Sequence, residues 1–146
     1  MTDEKSILLV EDNPQDELLA LRALRRASAA RRIDVVRDGQ QAIDYLFRQA
    51  EFAGRDGPDL PAVVLMDIGL PRLSGLEVLQ RMRADERTRL VPVVVLTSSD
   101  EDDDRLSSYR NGANSFVRKP VEFGIYADTV AGLGSYWLGT NQPPHA

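Results

Sequence analysis

Residues 62–71 read Ala62-Val63-Val64-Leu65-Met66-Asp67-Ile68-Gly69-Leu70-Pro71. Five apolar residues in a row end on a carboxylate, and a glycine and a proline follow at once. A short apolar run with no polar alternation, closed by turn residues, predicts a strand buried on both faces. Outward from it the same pattern recurs. Ile7-Leu8-Leu9-Val10 stops at Glu11-Asp12-Asn13-Pro14, and Val93-Val94-Val95-Leu96 stops at Thr97. Ile33–Val36 is a weaker run, and Ser115-Phe116-Val117 precedes Lys119-Pro120.

Helical patterns fill the gaps. Ala20, Leu24 and Ala27 share one face of the first, with arginines on another, and Ala42, Ile43 and Leu46 follow the Asp38-Gly39 turn. Leu76, Leu79 and Met82 mark a helix from about Ser74. Asp100 to Asp104 reads as an acidic first turn, favourable to a helix dipole, with a stop near Asn111-Gly112. Phe123, Tyr126, Val130, Leu133 and Trp137 form a stripe at helical spacing. Phe52 to Pro61, rich in Gly, Asp and Pro, is a loop. Five strands alternating with five helices predict an α/β fold with a parallel sheet covered on both faces. Ligands in such folds bind at the carboxyl ends of the strands.

At 146 residues the chain has room for one ordinary domain, expected over 6–138, with a disordered start at 1–5 and a tail at 139–146. A net charge of −5 argues against binding a phosphate backbone, so no nucleic-acid partner is expected. Arg22, Arg25, Arg26, Arg31, Arg32 and Arg37 read either as a solvated face or as a dock for an acidic partner. Cysteine is absent, which removes thiolate metal sites and cysteine nucleophiles. No apolar stretch is long enough to span a membrane, and no signal peptide is read at Met1 to Lys5, so a cytoplasmic location is expected.

The strand ends carry Glu11, Asp12, Asp67, Thr97 and Lys119. Three gathered carboxylates repel one another unless a cation joins them. Oxygen ligands without His or Cys point to Mg²⁺ or Mn²⁺ rather than zinc. An Asp beside such an ion can attack phosphorus, while the metal and Lys119 stabilise the transferring group. Each residue also has an ordinary alternative. Asp12 reads equally as the N-cap of the first helix, Thr97 as a cap of the acidic helix, and Lys119 as a solvated lysine.

These residues fall in motifs that resemble bacterial response-regulator receiver domains from about Ser6 to Leu138. The motifs are Leu8-Leu9-Val10-Glu11-Asp12, Met66-Asp67-Ile68-Gly69-Leu70-Pro71 with Ser74-Gly75, Leu96-Thr97-Ser98 and Phe116-Val117-Arg118-Lys119-Pro120. The resemblance implies a flavodoxin-like doubly wound sheet in the order 2-1-3-4-5. It makes Asp67 the phosphoacceptor for a partner histidine kinase. It makes Glu11, Asp12, Asp67 and the Gly69 carbonyl the Mg²⁺ ligands, Lys119 the phosphoryl's counter-charge, and Thr97 with Phe116 the switch pair. A cis peptide is expected at Lys119-Pro120. Gly69 departs from the polar residue of many relatives, and Phe116 from the tyrosine of some.

The chain is more similar still to stand-alone regulators that serve phytochrome-type kinases, through the loop Phe52 to Pro61, Ser107-Ser108-Tyr109 and the ending Tyr136-Trp137-Leu138. A bacteriophytochrome is therefore the implied partner. Tyr109, Tyr126, Tyr136 and Trp137 suggest a homodimer through the fourth helix, last strand and fifth helix. The rival to phosphoryl signalling is a phosphorylation-independent scaffold of the same fold. A Mg²⁺-dependent phosphatase would need a second Asp where Gly69 stands. The sole histidine, His145, lies in a Pro-rich tail and is not expected to donate phosphoryl.

Overall fold

The structure, a computed structural model, describes residues 5–27, 32–57 and 60–144. Strands β1 (Ser6–Val10), β2 (Arg32–Val36), β3 (Val63–Met66), β4 (Val93–Thr97) and β5 (Ser115–Arg118) alternate with helices. The helices are α1 (Pro14–Ala27), α2 (Gly39–Leu46), α3 (Gly75–Ala84), α4 (Asp102–Arg110) and α5 (Phe123–Ser135). A 3₁₀ turn at Ala50–Phe52 and a π turn at Tyr136–Thr140 complete the described elements. Every strand pairing is parallel, and the order is β2-β1-β3-β4-β5, the flavodoxin-like arrangement.

Strand geometry divides the core into two layers. Successive side chains point to opposite faces. Leu8, Val10, Val64, Met66, Val93 and Val95 therefore meet α2 and α3 through Ala42, Ile43, Leu46, Val78, Leu79 and Met82. Ile7, Leu9, Val63, Leu65, Val94 and Leu96 face Ala20, Ala23 and Leu24 of α1 and Tyr126 and Val130 of α5. Burial on both faces explains why β1, β3 and β4 show no polar alternation. β2 lies at the sheet edge and is only half-buried along most of its length, hence its weaker signal.

α4 is the exception among the helices. Ser108 is its one buried residue, and its capping position, Glu101, makes no side-chain cap bond. Its far end is held instead by Arg83, which donates to Gly112 O (3.0 and 2.8 Å), Val91 O (2.8 Å) and Asn114 Oδ1 (3.1 Å). A helix with little buried apolar surface is cheap to displace.

Two expectations need correction, Tyr126 as part of a dimer surface and a cis Lys119-Pro120 peptide. Within the stripe of α5, Phe123 is 56% exposed and the buried face begins at Tyr126, only 2% exposed. Tyr126 is therefore not available to a dimer surface. The Lys119-Pro120 peptide is trans, the form that X–Pro bonds still prefer by roughly 0.5–1 kcal/mol. Of the expected disordered start, only Lys5 is described, and its Nζ donates to Leu138 O (3.0 Å). Arg31 and His145 lie outside the described residues. Among the described residues no helix is long and apolar enough to cross a membrane.

Candidate functional site

The register of the central strands builds the site. Val10 pairs with Met66, so Glu11 and Asp67 leave β1 and β3 side by side. Glu11 N donates to Val36 O (3.0 Å) and Asp67 N to Val10 O (3.2 Å), which extends the ladder by one residue past each strand. One oxygen each from Glu11, Asp12 and Asp67 lies within 4.8 Å of the others.

Local capping falls to Asn13 and not to Asp12. Asn13 is the N-cap of α1: its Oδ1 accepts the N–H groups of Gln15 and Asp16, both at 3.0 Å, and Pro14 opens the helix. Asp12, spared that duty, contributes an exposed carboxylate to the cluster. Thr97 does not cap the acidic helix either, since α4 begins at Asp102. It is buried at the end of β4, with Oγ1 accepting Ser99 N–H (3.3 Å).

Lys119 is not solvated. Its side chain is 8% exposed, and Nζ donates to Glu11 Oε1 (2.6 Å), Asp16 Oδ2 (3.0 Å) and Asp67 Oδ2 (3.0 Å). All three ammonium protons are thereby used. Burial works to lower the Lys119 pKa, but the hydrogen bond it donates to Glu11 and the charges of Asp67 and Glu11 outweigh it and hold the ammonium above its usual range. Burial lifts the carboxyl of Glu11, 2% exposed, above the ordinary carboxylate range, against the pull of Lys119. Asp16 was not among the residues singled out from sequence. Its only signal there is an acid in the first turn of the first helix, four residues after Asp12.

Four carboxylates against one ammonium leave three formal negative charges in one crevice. Such a set favours a hard divalent cation, which oxygen donors accept without His or Cys. Glu11 Oε2 also accepts Asn13 N–H (3.1 Å) and Asp67 Oδ1 accepts Gly69 N–H (3.0 Å), so both carboxylates are fixed in orientation. A Cβ on exposed Gly69 would come no nearer than 3.8 Å, to Asp67 Oδ1. The position tolerates a side chain, and glycine leaves this flank of Asp67 open.

Gly75 fixes the Asp67–Ile68 backbone from behind. A Cβ there would lie 2.6 Å from Asp67 O and 2.6 Å from Ile68 Cα, both backbone atoms. Gly75 N also donates to Ile68 O (3.0 Å), and Ser74 with Glu77 forms a capping box that sets the start of α3. Gly75→Ala should therefore cost about 1–3 kcal/mol in chemical denaturation, as overpacking does. It should also shift the backbone amide resonances of Asp67 and Gly69. Unchanged stability would show that the loop yields freely.

The description "Response regulator receiver domain" matches residues 7–129. The chain belongs to the response-regulator receiver family. It is 46% identical over 138 residues to a probable methanogenesis regulatory protein, FilR2, of Methanothrix harundinacea, covering 94% of this chain and 86% of that one. Among solved structures it is similar to the phosphorylated cyanobacterial phytochrome response regulator RcpA, at TM-score 0.89 and 34% identity over 97% of this chain and 99% of that one. The Mn²⁺-bound form of response regulator Rcp1 gives TM-score 0.88 and 33% identity over the same shares. The bacteriophytochrome response regulator RtBRR gives TM-score 0.75 and 47% identity, covering 99% of this chain and 85% of that one.

A receiver is a signalling domain rather than an enzyme that turns over a small substrate. In this receiver Thr97 and Phe116 share a face of the sheet. Val95 pairs with Phe116, and Thr97 follows Val95 by one strand period. The Phe116 ring is half-buried, packed on the layer beneath α2 and α3.

Proposed function

We propose that Asp67 accepts a phosphoryl group from a histidine kinase and that the receiver signals by the conformational change that follows. The observation that carries this reading is the three hydrogen bonds that Lys119 Nζ donates to Glu11, Asp16 and Asp67 beside the exposed carboxylate of Asp12. Carboxylates and an ammonium gathered at one strand-end crevice support a nucleophile, a counter-charge and metal ligands acting together there. In the transfer, an Asp67 oxygen bonds to phosphorus while the bond to the donor breaks, and the electron pair leaves with the donor. Glu11, Asp12, Asp67 and the Gly69 carbonyl would hold Mg²⁺, with Glu11 acting directly or through water. The ion when bound supplies charge neutralisation at the transferring oxygens. Lys119 supplies the remaining counter-charge.

Phosphorylation adds close to two negative charges and new acceptor oxygens. Thr97 Oγ1 then bonds a phosphoryl oxygen, and Phe116, without a phenol, responds by ring burial alone. The weakly packed α4 moves with them. This is a two-state element biased by a contact made in one state only. The test is mass spectrometry of the intact protein after exposure to acetyl phosphate and Mg²⁺, in which the receiver should gain one phosphoryl mass.

The kinase proposed is a bacteriophytochrome, acting in the cytoplasm, on the support of the likeness to RtBRR and RcpA. The readout proposed is a homodimer through α4, β5 and α5, motivated by Leu106 and Tyr109 on α4 and Tyr136 beyond α5, all exposed. Sedimentation velocity with and without a phosphoryl mimic should show a heavier species when the mimic is bound. A monomer in both states at high concentration ends the dimer proposal and leaves the phosphoacceptor reading intact.

A further inference from the structure

We infer that Asp16 is a positioning residue for phosphoryl transfer, one that holds Lys119 back from the incoming group; the inference rests on the reading of Asp67 as acceptor. An ammonium has three protons, and those of Lys119 are already committed to Glu11, Asp16 and Asp67. Pairing with a phosphoryl oxygen requires one of these bonds to be released. Glu11 is buried, bound at 2.6 Å and held by Asn13 N–H on its other oxygen, so it is the firmest partner. Asp67 carries the oxygen being modified. Asp16 is the remaining holder, on the first turn of α1, with a side chain about one quarter exposed at 26%.

An acid in a first helical turn ordinarily serves the helix dipole. Its neighbour Glu17 is taken up by Arg37, in a bidentate pair at 2.9 and 2.8 Å. Asp16 instead reaches across to β5. Its charge opposes transfer in two ways of the same sign. It ties down the ammonium that the phosphoryl oxygens need, and it adds a fourth carboxylate to a crevice that an anionic donor must enter.

The test compares rates of phosphorylation by acetyl phosphate at Mg²⁺ saturating for each variant. Asp16→Asn should accelerate phosphoryl uptake about 3- to 10-fold, the scale of one partly screened charge at contact range. Asp16→Glu, which keeps the charge, should return the rate towards wild type. Glu17→Gln, which removes an equal charge from the same turn, should leave it unchanged. Melting temperature is measured alongside. A lower melting temperature with an unaltered rate would make Asp16 a mere strut between α1 and β5 and overturn the inference. Equal acceleration in Glu17→Gln would also overturn it, by reducing the effect to net charge. Failure of the wild type to take up phosphoryl would overturn the phosphoacceptor reading itself, and the role of Asp16 with it.

Discussion

Asp67→Asn should abolish phosphoryl uptake from acetyl phosphate while leaving the fold in place. The replacement is nearly isosteric. Its side-chain oxygen can keep the bond from Gly69 N–H, and Lys119 retains Glu11 and Asp16 as acceptors. The nucleophile is what disappears, because an amide oxygen cannot form a stable acyl phosphate. Intact mass should show one added phosphoryl group in wild type and none in the variant, and chelating the divalent ion should reduce wild type to the same background. Uptake by both proteins alike would place the acceptor elsewhere, and Asp12, the exposed carboxylate of the cluster, would be the first residue to map. Absence of uptake in both, with folding intact, would favour the phosphorylation-independent scaffold.

How far the sequence carries depends on which forces decide each feature. β1, β3 and β4 are legible to within a residue because each is an apolar run buried on both faces, and the acids that end them follow from where the run stops. Glu11, Asp12 and Asp67 could thus be gathered on paper before their register was known. The N-cap of α1 could not be assigned that way. Asp12 and Asn13 are both good caps, and only the geometry shows that Asn13 takes the two N–H groups. Tertiary contacts were similarly out of reach. The stripe from Phe123 to Trp137 has helical spacing throughout, but which turn meets the sheet depends on how α5 lies against α1, and that lies in no local pattern. Asp16 is the sharpest case. Its partner Lys119 is 103 residues away, and only the folded chain brings the two within 3.0 Å.

Lys119→Met should separate ion binding from phosphoryl transfer, because the lysine serves one and opposes the other. Methionine matches the length of the aliphatic stem but removes the charge. With no ammonium competing for Glu11, Asp16 and Asp67, divalent affinity should rise about tenfold, the weight of one neighbouring charge in a partly dry site. Transfer should nevertheless slow by about 10²–10³-fold even with the ion saturating, since a preorganised cation facing the phosphoryl oxygens is lost. Stability gives a third signature. Breaking a buried pair and stranding Glu11 should cost about 3–5 kcal/mol at neutral pH without the ion. The carboxyl of Glu11 already sits above its ordinary range through burial, and loss of Lys119 raises it further. A carboxyl whose folded pKa exceeds its unfolded one favours the fold below the unfolded value and loses that advantage as pH rises through the folded value. The variant should therefore regain stability towards acidic pH, or on adding Mg²⁺ at neutral pH. Calorimetry for the ion, mass spectrometry for transfer and denaturation at two pH values measure the three effects independently. Weaker ion binding in step with slower transfer would sink the proposed division of labour, because it would show that Lys119 holds the crevice together rather than competing within it.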